Sequence, residues 1–428
     1  MSTRRPLRRR IVAPLLAGPL LSLALASPLD AADWPMFRGP DRDGVAPAAE
    51  KAPLEWSTTK NIKWKAELPR PGNSSPVVAA GKVFVATALD EKGAQRSLMA
   101  FDRKDGKPLW TKTVAYDAPD VTHATNPYNA ASPAADAERV VVWHASAGLY
   151  CYDHAGNELW KRDLGKFRHI WGWAGSPVIH GDMVFLNAGP GERQFVAAFD
   201  KKTGNELWRT EEPGGGESKY AGSWSTPRVV DVNGKTQVLV FMSTKVNAYD
   251  PKTGKVIWTV EGAGPLAYSD VYVTPPAADG TRIGMAMAGY GGPAIGFRID
   301  DKAAGNVTAT HRLWLNTDKH PQRIGTGQIL GEHVIVPNEP YIGCYEVKTG
   351  KEVWRQNLQG ERFWGGIVKV GDRLYFTSQK GTTYVFAADP AGYKQLAKNE
   401  LGEPSNSTPA VSDGQVFLRT AKHLWCVE

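Results

Sequence analysis

Apolar and polar residues alternate over short runs in this chain, and one run is written again and again. Leu98 to Asp102 alternates, a turn follows through Gly106, and a second run ends on Trp110. The same word returns at Cys151 to Trp160, Ala198 to Trp208, Ala248 to Trp258 and Cys344 to Trp354, always with four positions from Gly to Trp. Each copy reads as strand, turn, strand. The Asp or Glu that ends the first run (Asp102, Asp153, Asp200, Asp250, Glu346) has a carboxylate that accepts the turn's free amides, and the Gly supplies a positive φ.

The closing tryptophans, Trp64, Trp110, Trp160, Trp208, Trp258, Trp314 and Trp354, stand 46, 50, 48, 50, 56 and 40 residues apart. A period of that length suits a four-stranded blade, and no amphipathic-helix pattern fills the gaps. Eight inner-strand openings can be read: Ser75-Pro76, Ser132-Pro133, Ser176-Pro177, Thr226-Pro227, Thr274-Pro275, Gly325-Thr-Gly327, Gly365-Gly366 and Thr408-Pro409. A proline at the first residue of a strand loses no ladder hydrogen bond. The last copy ends after its third strand, His423 to Val427, while Ile62 to Leu68 is a strand without a blade. Pairing the two would remove both free edges.

The predicted fold is therefore all-β: an eight-bladed β-propeller of four-stranded antiparallel blades over residues 61–428, its ring closed by an N-terminal strand. Residues 33–60 read as a strap laid over the body. Blade five is expected to be irregular between Phe297 and His311, and blade seven to carry Leu396 where the others carry Trp.

Charge changes the picture at one end only. The formal charge of +7 falls to +2 without residues 1–26, which hold five arginines and no acid ahead of the apolar run Ile11 to Ala26. That is the pattern of a signal peptide, with cleavage after Ala26 or as late as residue 32, and it points to a periplasmic or secreted protein. Thr3-Arg4-Arg5 faintly resembles a twin-arginine signal. The run is too short and Pro-broken for a membrane span, no Cys follows it for lipid attachment, and no basic stripe remains for nucleic acid. Cys151, Cys344 and Cys426 occupy the place that Ala100, Ala198 and Ala248 hold in other copies. They are expected to be free, buried thiols on blades that are not neighbours. The protein is expected to be a monomer.

The Ala-x-Asp-x-x-x-Gly-x-x-x-Trp repeats with Ser-Pro openings resemble the pyrroloquinoline-quinone (PQQ) repeat propellers over about residues 33–428. That family includes quinoprotein alcohol dehydrogenases and the propeller lipoprotein of the outer-membrane β-barrel assembly machine. The Trp34-Pro-Met-Phe-Arg-Gly-Pro opening is similar to that of secreted bacterial PQQ-like propellers. The resemblance to the dehydrogenases would imply a quinone in the channel, against a tryptophan and a disulfide of adjacent cysteines. Beside it would lie a calcium held by Glu and Asn, with a catalytic Asp. This chain has no Cys-Cys pair and no Cys-x-x-Cys-His for haem attachment, and no residue maps onto the Glu/Asn/Asp set.

The repeat tryptophans are expected to pack between blades rather than to hold a cofactor. Metal-binding motifs and a Gly-x-Ser-x-Gly elbow are missing from the sequence. The informative segments are those feeding the inner strands, because they break the repeat. They bring His123, Asn126, Tyr128, Asn129, His169, Trp171, Trp173, Tyr268, Tyr272, His320, Arg323, Trp364 and Asn406 toward one face. Aromatics interleaved with amides suit sugars or peptide segments. The leading reading is an exported, non-catalytic scaffold that binds protein or glycan at the channel mouth, with no cofactor and no metal. The alternatives are a PQQ- and calcium-dependent dehydrogenase, and a polysaccharide-acting hydrolase or lyase using His123 or His320 as base.

Overall fold

A computed structural model describes residues 1–2 and 33–428, apart from residues 49, 119, 214–219 and 319–322. The signal-peptide reading and His320 lie outside the described residues. Eight antiparallel sheets form a ring. Blade one runs Val77–Ala79, Lys82–Ala88, Gln95–Asp102 and Pro108–Ala115, from channel to rim. Blade eight takes Ala410–Ser412, Gln415–Arg419 and His423–Val427 from the end of the chain and its outer strand, Ile62–Glu67, from near the start. Trp64 stands opposite Cys426 in that pairing. The ring closes as the unpaired strand implied.

The seams between blades explain the repeat. Outside blade four, the closing indoles donate to a carbonyl in the next blade's turn, as Trp110 does to His154, Trp160 to Lys201, Trp208 to Pro251 and Trp354 to Pro390, at 2.8–3.1 Å. In five seams the ring also packs on the next blade's turn glycine, at Gly106, Gly156, Gly204, Gly254 and Gly350, whereas Gly392, beyond Trp354, has no such neighbour. A Cβ on Gly254, whose φ is +71°, would sit 2.3 Å from the Trp208 ring, and one on Gly204 would sit 2.5 Å from Trp160. The glycine is thus required twice, by backbone and by neighbour. Opposite each indole stands a small residue (Ala100, Cys151, Ala198, Ala248, Cys344), so the three cysteines are buried and free. Burial pushes the thiols of Cys151 and Cys426 up to about 12.

Two details of the repeat differ from the sequence reading. In blade seven the residue at the indole's register is Ala397, paired with Val385, rather than Leu396, because five positions instead of four separate it from the turn's Gly392, while the bulge after Val385 is the one that the other blades share. The strap repairs the gap: Trp56 is buried in the same cluster as Ala397 and stacks on Tyr375 at 6.3 Å. In blade four Trp258 bonds Gln237 of its own sheet. The irregular connection of blade five supplies an extra parallel strand, Gly305–Asn306, along blade four's outer edge instead of a turn glycine.

The strap crosses the far end of the channel. Trp34 pairs with Val78 of blade one and Val45 with Lys369 of blade seven. Between them Arg38, buried, donates to the carbonyls of Asp43, Thr326, Gly327 and Ile367 at 2.7–3.0 Å. Among the described residues no helix is long and apolar enough to cross a membrane.

Candidate functional site

At the base of the channel the eight openings are knitted into a belt. Seven of the eight opening amides donate to the side-chain oxygen of the equivalent residue one blade on. Ser75 bonds Ser132 at 2.8 Å, Ser132 bonds Ser176 at 3.0 Å, Ser176 bonds Thr226 at 3.2 Å and Thr226 bonds Asp270 at 2.8 Å. Asp270 bonds Thr326 at 3.2 Å, Gly366 bonds Thr408 at 2.7 Å and Thr408 returns to Ser75 at 2.9 Å. Serine and threonine recur here because a short hydroxyl reaches the neighbour's amide from a strand that proline has just begun.

The fifth member is Asp270. Thr274, which the Pro-based reading placed there, lies four residues further on and accepts from Ile283 within its own blade. Asp270 also meets Arg42 of the strap at 2.9 Å, with both side chains buried. Burial lowers the Arg42 guanidinium to about 10, against the pull of Asp270, so it stays charged at neutral pH. The one link without a side chain is Gly366, where a Cβ would come 2.7 Å from Arg38. The strap's guanidinium takes the place a hydroxyl has elsewhere.

Above this belt lies a cavity of about 270 Å³. The belt side chains and Phe37 of the strap form its floor, and the loops feeding the inner strands form its walls. The walls differ. Blades three to five contribute Trp171, Trp224, Tyr268 and Tyr290. Their rings interlock, with Trp224 and Tyr268 at 4.8 Å and Trp171 and Tyr290 stacked at 5.7 Å. Facing them, the loops of blades eight, one and two bring Asn406, Asn73, His123 and Asn126. That side is braced internally: Asn73 and Asn406 both donate to the Thr125 carbonyl, at 2.9 and 3.2 Å. Asn126 reaches across to the Trp171 carbonyl at 2.8 Å. Arg362 and Trp364 arrive from blade seven.

Tyr290 has the most telling geometry. Its ring is 55% exposed, yet its backbone sits at φ +46°, which an L side chain adopts at a cost. Two polar atoms of lining residues, Tyr268 Oη and Asn406 Oδ1, are buried with no hydrogen-bond partner among the described residues. Burial raises the Tyr268 hydroxyl well above its ordinary value, so it is a neutral donor.

Of the sequence candidates, His123, Asn126, Trp171, Tyr268, Trp364 and Asn406 line this cavity. The others that are described stand behind it. Tyr128 and Trp173 lay their rings against the buried guanidinium of Arg96, 5.1 and 5.6 Å from it. Asn129 donates to the Thr87 carbonyl and pairs with His144. His169 stands edge-on to Trp224 at 4.9 Å, its pKa held down to about 4 by burial. The Tyr272 hydroxyl accepts from Gly327, and Arg323 bonds Asn338. Phe37, Asn73, Trp224, Asp270 and Tyr290 also line the cavity and are not among the sequence candidates, although Asp270 lies in the segment between Tyr268 and Tyr272. Tyr290 lies in the turn between the second and third strands of blade five, which returns to the same face as the inner-strand feeders.

A PQQ-repeat family model described as outer membrane protein assembly factor BamB matches residues 50–135, 121–283 and 338–427. Among curated proteins the chain is 26% identical to quinohemoprotein alcohol dehydrogenase ADH-IIG of Pseudomonas putida, over 95% of the chain but 64% of that enzyme. It is 21% identical to BamB of Burkholderia pseudomallei, over 83% of the chain and 84% of that protein. Among solved structures, a europium-containing methanol dehydrogenase superposes with a TM-score of 0.66 at 14% identity, covering 90% of this chain and 89% of that one. BamB from Moraxella catarrhalis does so with 0.55 at 14% identity, covering 84% and 95%. At these identities the superpositions speak for the fold. With its Trp-on-Gly seams and its match to that model over most of its length, the chain belongs to the PQQ-repeat, BamB-like β-propeller family.

Proposed function

We propose that this protein is an exported binding propeller whose channel mouth takes a hydroxyl-rich ligand, a glycan, without chemistry of its own. One observation carries the reading: an exposed aromatic, Tyr290, is held in a costly backbone conformation on a wall of rings that faces a wall of amides. Strain of this kind persists where the surroundings fix it, and it clusters at ligand sites. Sugar rings stack their C–H faces on aromatic rings while their hydroxyls exchange hydrogen bonds with amides. Tyr268 Oη and Asn406 Oδ1 supply an unused donor and an unused acceptor for that purpose. The internal bracing of the amide wall keeps the cup preformed, which lowers the ordering cost of binding.

A calcium-bound quinone is the poorer fit. Asp270, the carboxylate that lines the cavity, gives one oxygen to Arg42 and the other to the Thr226 amide. Among the described residues no three His, Cys, Asp or Glu side chains are grouped to hold a metal. His123 is a poor fit as a hydrolase's base, since its Nδ1 accepts from the Thr125 amide at 3.3 Å, which puts the neutral ring's proton on Nε2 and leaves no lone pair there to take another; His320 lies outside the described residues.

The test is a glycan array and calorimetry on the mature protein with its Tyr290→Ala variant. Binding of oligosaccharides that weakens at least about fivefold in the variant, at unchanged fold, is the expected result; stacking contacts of this class contribute ~1 kcal/mol or more. Dye-linked oxidation of alcohols after addition of PQQ and calcium would overturn it.

A further inference from the structure

The floor of the cavity says what kind of glycan. A hydroxyl offers one proton to donate and two lone pairs to accept. In the belt, Ser75, Ser132, Ser176, Thr226, Thr326 and Thr408 each spend a lone pair on the preceding opening's amide. None of the six donates its proton to a protein acceptor among the described residues, and all six line the cavity. The floor is thus a circle of O–H donors around one axis. The acceptor that could compete there, the Asp270 carboxylate, is already engaged at both oxygens.

Charge beneath the circle has the same sense. Arg38 lies at the belt's broken link, fully buried, and its hydrogen bonds go to four carbonyls rather than to a carboxylate. Burial lowers its pKa, and Asp270 and Asp43 act against that. At the lip, Arg362 adds the one permanent cation among the described lining residues. Convergent hydroxyl donors over a guanidinium, screened from water by a cup, are the arrangement that receives an oxyanion.

Resting on the glycan reading above, we infer that the ligand is acidic: a carboxylate-bearing sugar whose anionic group reaches the belt of hydroxyls while its ring lies on the aromatic wall. Carboxylates on rings come from two sources, uronic-acid oligosaccharides and free aromatic acids, and the aromatic–amide asymmetry of the walls favours the first.

The experiment titrates the full mature protein with tetragalacturonate, its methyl ester and, in EDTA, free PQQ, following tryptophan fluorescence and calorimetry. The acid should bind at least about tenfold more tightly than the ester. That preference should shrink with added salt and collapse in Ser132→Ala/Ser176→Ala, whereas Tyr290→Ala should weaken acid and ester alike. The ester comparison uses the unaltered chain and stands even if the double variant fails to fold. Equal binding of acid and ester would overturn the acidic floor and leave the glycan site in place. Binding of PQQ in EDTA with neither sugar would keep the anion floor and overturn the saccharide. Binding of none of the three would overturn both.

Discussion

The seams between blades and the mouth of the channel are made of the same residue types, yet they obey opposite rules. At a seam, Trp208 is buried, donates to Pro251 and covers Gly254, and the same contact recurs around the ring. At the mouth, Tyr290 is exposed and stands on strained backbone; the equivalent turns of blades two and four hold positive φ too, at Ala145 and Thr244, but present no ring there. Repetition marks what holds the ring together; departure from it marks what the ring presents. Energetically the seam is a packing site, where removal of a ring leaves a cavity. The mouth is a place where stability has been spent on presentation.

The largest expected effect lies at the seam. Trp208→Ala removes a buried indole and its hydrogen bond and should cost about 4 kcal/mol of stability, read as a lowered midpoint in urea. An effect under about 1 kcal/mol would mean that neighbouring seams share the load and the contrast is false.

Acid should next find the buried network under the mouth. Burial, with help from Arg96, holds His144 down to about 3. The unfolded chain therefore takes up a proton below about pH 6.5 that the folded chain refuses, and stability falls as pH drops toward 3. Between pH 7 and pH 4 the loss is about 3 kcal/mol, from ~1.4 kcal/mol per unit of pKa difference. His144→Gln keeps a donor for Asn129 and should flatten that slope in melts taken across the range.

A pair of glycines separates backbone from neighbour. Both Gly254 and Gly305 have positive φ, at +71° and +69°, but a Cβ meets the Trp208 ring at the first and nothing within 4 Å at the second. Gly305→Ala should cost about 1 kcal/mol and Gly254→Ala about 2 kcal/mol more. Equal costs in thermal melts would remove the indole from the explanation. The smallest effect belongs to the mouth: Tyr290→Gly relieves the strained φ while losing the stack on Trp171, and stability should change by less than about 1 kcal/mol.

Much of the ring was legible because it repeats. The Asp, Gly and Trp of each copy carry local reasons that a single sequence displays, and the unpaired strand at Trp64 shows where closure must come from. The misses have physical causes. Ala397 was masked by Leu396 because the turn of blade seven holds one more residue after its glycine, so a count of four from Gly392 stops one position short of the register. Asp270 was passed over for Thr274 because proline was taken as the marker, whereas the belt needs a side-chain oxygen two residues before the strand, whatever follows. Tyr290 and Phe37 reach the cavity from a turn and from the strap, segments other than those feeding the inner strands. The arginines that enter the channel, Arg38 and Arg42, sit in a strap whose sequence suggests only a covering.

The most direct measurement sets Trp208→Ala and Tyr290→Gly side by side, each assayed for urea stability and for binding of tetragalacturonate. The expected outcome is a crossed one: the seam variant loses about 4 kcal/mol of stability yet, where still folded, keeps the affinity, and the mouth variant keeps its stability and loses the affinity. If both variants lose stability and affinity together, or if Tyr290→Gly binds as the unaltered chain does, the division between a repeated frame and an unrepeated binding mouth is wrong.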